Sequence, residues 1–220
     1  MTDSGVLDEP ISGRTAAGQD SRKRQQILDG ARRLFLAKGF DASSMADIAQ
    51  EAGVSKGTLY VYFDSKERLF QELVAIEKAA QYPAIFGLDA EDHDVRAVLT
   101  RLGLQFARFI TKPDVIMASR TVMAIGERMP EIAAEFYQKG PRQCAHRLAE
   151  YLAPQVEAGV LAIDDVYLAA AQFLDLSQST IKVALLFGAA EPPSEERIET
   201  VVKSAVDVFM AAYGTGRAPA

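Results

Sequence analysis

Residues 44–63 have the sequence SMADIAQEAGVSKGTLYVYF, and the spacing within this stretch predicts the fold around it. Ser44 and Asp47 stand at capping-box spacing, followed by a helical apolar stripe. Gly53 can adopt the positive φ of a tight turn because it lacks a Cβ atom. A second short helix then spans about residues 56–63. Two short helices joined by a tight turn indicate a helix-turn-helix, whose second helix enters the major groove of DNA.

The second helix has a composition suited to a phosphate surface. No acidic residue lies between Glu51 and Asp64. A lysine supplies charge, and hydroxyl and phenol groups donate to phosphate or meet a thymine methyl. Gly57 costs ~1 kcal/mol as a helix former but allows close approach of the backbone to another surface. The residues that this reasoning places at DNA are Lys56, Gly57, Thr58, Tyr60, Tyr62 and Lys66. The alternative is a structural three-helix subdomain with two half-buried tyrosines.

The composition limits the other classes of function. The 220 residues carry a net charge of −6, which by itself argues against nucleic-acid binding. Residues 20–66, however, hold eight basic and six acidic side chains, so a mildly basic N-terminal segment precedes an acidic remainder. One cysteine and two histidines leave little material for a metal site or a disulfide framework, and we expect no cofactor. No apolar run approaches the ~18 residues of a membrane span, and no secretory signal begins the sequence, so we expect a cytoplasmic protein.

The periodicity predicts an all-α chain of two domains. We expect a disordered tail over residues 1–20, a DNA-binding domain over 21–66, a larger helical domain over 67–213 and a flexible tail over 214–220. A first helix of about Ser21 to Lys38 should precede the helix-turn-helix. The helices expected beyond Pro83 are Asp94–Thr111, Asp114–Arg128, Glu131–Glu157, Asp164–Phe187 and Ser194–Tyr213. Proline and glycine mark the breaks between them, and Gly140-Pro141 should kink the third.

Residues 46–67 closely resemble the DNA-binding signature of the tetracycline-repressor (TetR) family, and the resemblance covers about residues 24–74. It implies a homodimeric, all-helical repressor that reads a pseudo-palindromic operator. It also implies a C-terminal domain that dimerises through its last two long helices and holds an inducer. By match of position, the DNA contacts would be Ser44, Lys56, Gly57, Thr58, Tyr60, Tyr62 and Lys66. Ser43-Ser44 stands where the family often has a threonine, which keeps a hydroxyl for phosphate. Val61 stands where an aromatic residue or His is frequent, which puts the base preference in doubt.

The C-terminal part is similar to an AefR-like domain of that family around residues 129–141 and 159–165. A largely apolar small-molecule effector would need an apolar pocket with a few polar groups. Apolar helix faces offer Phe106, Phe109, Met117, Met123, Phe136, Tyr137 and Phe173 as lining residues, with Ile110, Cys144, His146 and Leu174 as further candidates. A plain core role is the alternative for each of them.

Two other classes of function compete with a ligand-responsive dimeric repressor. A helical interaction protein could use the helix-turn-helix for protein contacts, and such a protein would lack salt-dependent affinity for DNA. An enzyme would need a nucleophile with its base, a Gly-rich phosphate loop or metal-ligand spacing, and the sequence shows none of these patterns. We therefore expect that the chain is not an enzyme.

Overall fold

Helices account for the regular structure of residues 12–216, which are the residues that the computed structural model describes; the side chains of residues 12–19, 77, 78, 80 and 81 are excepted. Within that range there is no β-strand, only an isolated bridge between Leu161 and Gly214. The all-α prediction is confirmed. None of the described helices combines the length and the apolar character that a membrane crossing requires.

The chain divides into two compact units between Leu73 and Val74, somewhat later than the boundary expected after residue 66. The first unit contains α1 (Ser12–Lys38), α2 (Met45–Glu51), α3 (Lys56–Tyr62) and the start of α4 (Lys66–Phe86). The second unit contains the rest of α4, then α5 (Val95–Ile110), α6 (Pro113–Ile125), α7 (Pro130–Tyr137), a π-helical turn (Gln138–Arg142), α8 (Gln143–Glu157), α9 (Val166–Ser177), α10 (Lys182–Leu186) and α11 (Glu195–Tyr213).

Three expected boundaries need correction. Helix α1 begins at Ser12, so the disordered tail expected over residues 1–20 is wrong for its described part, and residues 1–11 lie outside the described range. Helix α4 continues through Pro83, which lies in the last turn. The long helix expected over residues 164–187 is two helices, because Thr180 adopts a positive φ of 65° between α9 and α10.

Two further expectations concern the second unit. The kink expected at Gly140-Pro141 is present as the π-helical turn, where Pro141 has no N–H to continue the α-helical pattern. The flexible tail expected over residues 214–220 is wrong for its first residues, since the N–H of Gly214 donates to Met210 and that of Thr215 to Val160. Residues 217–220 lie outside the described range.

The core of the first unit is aromatic. The rings of Phe35 and Phe40 have centroids 5.4 Å apart, and Phe70 lies 5.4 Å from Phe40 and 6.4 Å from Phe35. Edge-on ring pairs of this kind stabilise more than their buried area alone. They join the end of α1 to the start of α4, and the apolar stripes of α2 and α3 pack into the same unit.

The core of the second unit is built around α5, which packs against α9 and α11. Gly103 permits this close approach, because a Cβ atom there would come within 2.7 Å of Val202 Cγ1 and 3.4 Å of Phe173 Cζ. The rings of Phe173 and Phe209 meet edge-on at 5.6 Å on the same side. Helix α8 covers α9 and completes a core of side chains buried from water.

Candidate nucleic-acid interface

A reciprocal cap starts α2. The Asp47 N–H donates to Ser44 Oγ at 3.1 Å, and the Ser44 N–H donates back to Asp47 Oδ2 at 3.0 Å. The Ser44 hydroxyl also donates to Asp47 Oδ2 at 2.7 Å. These bonds to the ionised form hold the pKa of the Asp47 carboxyl below its usual value, the side-chain bond contributing most. The capping box is thus confirmed, and the Ser44 hydroxyl is occupied by its own helix.

The turn between α2 and α3 has the geometry that its residues predict. Gly53 has a φ of 64°, and the Val54 N–H donates to Ala49 O at 2.9 Å. Ser55 caps α3 by accepting the Thr58 N–H at 3.0 Å, and the two hydroxyls lie 2.8 Å apart. The capping bonds leave Thr58 half-buried. The pair α2 and α3 therefore forms the predicted helix-turn-helix.

Helix α3 has one buried and one exposed face. Leu59 is fully buried and Phe63 is 3% exposed, as their spacing predicts. On the other face Tyr60 is 52% exposed and Val61 81% exposed. Lys56 and Gly57 are exposed as well, and the nearest atom to a Cβ built on Gly57 is Ser55 Oγ at 3.8 Å. This face of α3 carries no acidic side chain and is open to solvent. A phosphate backbone can therefore approach the main chain of α3 at Gly57.

Lys66 has a bonding pattern that its position in sequence does not reveal. Its ammonium group donates to Phe40 O at 2.9 Å, Ser43 O at 3.2 Å and Asp41 O at 3.4 Å. It also lies 4.4 Å from the centre of the Phe40 ring. An ammonium has three protons to donate, so these carbonyls engage all of them. In this geometry Lys66 joins the start of α4 to the loop between α1 and α2.

Tyr62 and its surroundings bring in residues that sequence reasoning missed. Tyr62 is half-buried, and its pKa is raised, chiefly by interaction of the phenol with the Asp20 carboxylate on α1. Arg24 on the same helix donates to both carboxylate oxygens of Glu72 on α4. Its guanidinium lies over the Phe63 ring, 4.7 Å from the ring centre. These partners are separated by about forty residues in sequence, and no local pattern signals them.

Ser65 caps α4, with its Oγ accepting the Arg68 N–H at 3.2 Å. Asp64 and Glu67 also stand at capping-box spacing in the sequence, a pattern that would place the cap one residue earlier. Ser65 immediately precedes the first helical residue, Lys66, and is therefore at the position from which a side chain can reach that N–H.

The candidate effector residues do not form one group. Phe106 and Phe109 are buried against α4, with ring centroids 6.4 Å from Phe86 and 5.8 Å from Tyr82 respectively. Phe173 is buried elsewhere, against Phe209. The rest divide as follows: Ile110, Cys144 and Leu174 are buried, Met117 and Phe136 are half-buried, and His146 is exposed beside the Tyr167 ring.

Met123 and Tyr137 depart from the expected apolar helix faces. Their side chains are 68% and 53% exposed, so neither is enclosed as a pocket-lining residue would be. Helical periodicity identifies a face but not the element that covers it, and no described part of the second unit encloses these two side chains.

An open groove of about 490 Å³ lies between α9 and α11. Its lining combines apolar and polar side chains, namely Gln172, Asp175, Leu176, Ser179, Val208, Phe209, Ala212 and Tyr213. Val208 is half exposed beside it. None of the candidate effector residues lines this groove. It lies on the last two long helices, the pair expected to dimerise.

Across the described residues, no three His, Cys, Asp or Glu side chains lie together as a metal site requires. Burial also shifts the pKa of polar groups in the second unit. Burial raises the pKa of the Tyr82 phenol, which also interacts with Cys144. Burial lowers the pKa of the Lys182 ammonium, partly offset by attraction to Asp175.

Comparison with known families assigns both units. Residues 27–73 match the family described as bacterial regulatory proteins of the tetR family. Residues 97–215 match the C-terminal domain of AefR-like transcriptional repressors. The first match covers the helix-turn-helix, and the second covers α5 to α11.

Individual relatives are transcriptional regulators too. The regulator UidR of Escherichia coli is 32% identical over 120 residues, which are 53% of this chain and 58% of UidR. The chain thus spans little more than half of the curated relatives it matches first.

Two solved structures match over most of their length. A TetR-family regulator of Mesorhizobium loti has a TM-score of 0.80 at 26% identity, over 90% of this chain and 99% of its own. The flavonoid-responsive regulator FrrA has a TM-score of 0.71 at 32% identity, over 90% of this chain and all of its own. The chain is therefore not an enzyme but a member of the TetR family of DNA-binding transcriptional regulators, with an AefR-like C-terminal domain.

Proposed function

We propose that this regulator acts in the cytoplasm as a homodimeric repressor, binding a pseudo-palindromic operator and leaving it when a small apolar effector binds. The exposed, acid-free face of α3 is the observation that carries the proposal. A dimer would present two such helices to successive major grooves, so that the symmetry of the DNA site matches that of the protein. A mobility-shift assay on duplexes selected from a random-sequence library tests it, and the enriched sites should be inverted repeats.

The exposure of each residue supports a division of labour within the interface. Lys56, Thr58 and Val61 would meet base edges, and the phenol of Tyr60 would donate to phosphate. The phenol of Tyr62 would do the same only after exchanging the Asp20 carboxylate for a phosphate oxygen. Gly57 would let the backbone approach the DNA.

Ser44 and Lys66 would act differently, because both are already bonded within the protein. The Ser44 hydroxyl would have to exchange Asp47 for a phosphate oxygen on binding. Lys66 would act by holding the loop of residues 40–43 in place beside the DNA.

The groove between α9 and α11 supports dimerisation through this face. An open, partly apolar groove on a monomer favours burial against another surface, and a two-fold dimer buries the same patch of both copies. Val208 and Leu168 are each 50% exposed on these helices. In a four-helix bundle formed by two copies, such side chains would be withdrawn from water.

Val208→Glu is expected to weaken dimerisation about tenfold, since a carboxylate would be buried without a partner. Sedimentation at a series of concentrations measures the dimer constant. Met123→Glu places the same charge on another exposed apolar position, on α6, and should leave the constant unchanged. Equal dimerisation of the Val208→Glu variant and the parent would place the interface elsewhere.

An aromatic effector fits the second unit best. The buried rings of Phe106 and Phe109 meet Tyr82 and Phe86, and Lys182 adds a partly desolvated ammonium to the same unit. Apolar surroundings with a few polar groups suit a small aromatic molecule that carries hydroxyls. FrrA is described as flavonoid-responsive, which supports the same class for this chain.

A flavonoid aglycone is expected to release the regulator from its selected duplex, because it would bind the DNA-free conformation more tightly. The matched control is the glycoside of the same flavonoid, whose sugar an apolar site would exclude. Mobility shift with each compound measures the release. Release by the glycoside alone, or by neither compound, would contradict the proposed effector class while leaving the proposed operator binding intact.

A further inference from the structure

The carbonyl groups at the end of α2 are satisfied in two different ways. A helix leaves its last four carbonyls without intrahelical partners. Ile48 O accepts the Ala52 N–H, Ala49 O the Val54 N–H and Gln50 O the Gly53 N–H, at 2.9 to 3.1 Å. Those three bonds come from the turn itself. The next two carbonyls along the chain, of Glu51 and Ala52, depend on another helix.

Side chains of α1 bind both of these carbonyls. Gln26 Nε2 donates to Ala52 O at 2.6 Å. Arg33 donates through Nη2 to Glu51 O at 3.2 Å and through Nε to Glu51 Oε1 at 2.7 Å. Hydrogen bonds from α1 therefore fix the C-terminal end of α2 immediately before Gly53 of the turn.

A third position of α1 completes the contact. Gly30 follows Gln26 by four residues and precedes Arg33 by three, so all three lie on one face of α1. A Cβ on Gly30 would come within 2.7 Å of Ala52 Cα. Its absence lets α1 lie directly on the backbone of α2, which brings the two donors within reach of the carbonyls.

We propose that Gln26 and Arg33 are positioning residues for DNA reading: they fix the end of α2, and with it the turn that aims α3. The proposal rests on the proposed operator binding. Base-edge recognition needs side chains at defined places in the groove, whereas non-specific binding arises from charge and tolerates a displaced helix. Losing the two side chains should therefore lower affinity for the operator and spare affinity for unrelated DNA.

The test compares Gln26→Met/Arg33→Met with the parent protein, using the duplex that the parent enriches from a random library and an unrelated duplex of equal length. Gln25→Met and Arg147→Met are the controls. Gln25 donates to Asp29 and Arg147 to Glu150, each within its own helix. Arg33→Lys serves as the rescue variant, because it keeps a cationic donor. Circular dichroism confirms that each variant is folded at the assay temperature.

We expect the double variant to bind the enriched duplex about tenfold more weakly, because a displaced α3 loses base-edge contacts, and to bind the unrelated duplex within twofold of the parent. Arg33→Lys should keep most of the affinity. Unchanged affinity for the enriched duplex, or an equal fall on both duplexes, would overturn the proposal. A parent protein that prefers neither duplex would instead overturn the proposed operator binding.

Discussion

Replacing Lys56 and Tyr60 together with alanine is expected to lower affinity for the enriched duplex about 100-fold. Lys56 is an exposed cation on an acid-free helix, and Tyr60 presents a phenol with half of its surface open to solvent. Each DNA contact of this kind contributes roughly 1–3 kcal/mol, and losing one phosphate contact reduces the salt slope of binding by about 1. Mobility shift at several salt concentrations measures both quantities.

The control for this pair lies in the second unit. Tyr137 is 53% exposed, almost the same as Tyr60, and Lys139 is an exposed lysine that pairs with Glu135 on the neighbouring turn. Replacing both with alanine removes the same groups from the protein and should leave DNA binding unchanged. If the Lys56 and Tyr60 variant bound as tightly as this control, α3 would not be the reading element.

Gly30→Ala is expected to destabilise the first unit by about 1–3 kcal/mol, the range found for overpacked cores. An alanine in the middle of a helix ordinarily stabilises it by up to ~1 kcal/mol relative to glycine. Here the new methyl group would come within 2.7 Å of both Cα and Cβ of Ala52 and 2.8 Å of its backbone nitrogen. The neighbour is backbone and cannot rotate away, so the clash outweighs the gain in helix propensity.

Urea denaturation of each variant, followed by circular dichroism, measures this effect. Gly57→Ala is the matched control, because a Cβ there meets nothing closer than 3.8 Å. The control should unfold at the same urea concentration as the parent or a higher one. A Gly30→Ala variant as stable as Gly57→Ala would mean that α1 and α2 can separate without cost. Because the chain has two units, each variant is compared with the parent separately for every transition that the denaturation curve shows.

Local patterns predicted the helix-turn-helix well because its information is local. The cap of Ser44 and Asp47, the positive φ of Gly53 and the burial of Leu59 and Phe63 each depend on residues within one or two turns. Such short-range geometry follows directly from side-chain chemistry and helical spacing. The fold class and the helix-turn-helix were therefore available from the sequence.

The candidate effector residues were predicted less well because burial is a property of neighbours. Phe106 and Phe173 lie on apolar faces in the sequence and are buried, yet they are buried in different places. Met123 and Tyr137 lie on similar faces and are exposed. Periodicity states which side of a helix is apolar, and only packing decides which helix, if any, covers it.

Thus the sequence by itself determined that α3 is an acid-free helix with one apolar face following a glycine turn, since charge and spacing are properties of the local chain. The tertiary structure alone decided how that helix is held. Lys66 was expected to contact phosphate, but its ammonium donates hydrogen bonds to the carbonyls of residues 40, 41 and 43. Gln26 and Arg33 reach the carbonyls of Ala52 and Glu51 across gaps of 26 and 18 residues. A backbone carbonyl carries no sequence signature, so a bond to one becomes visible only when folding brings the two segments together.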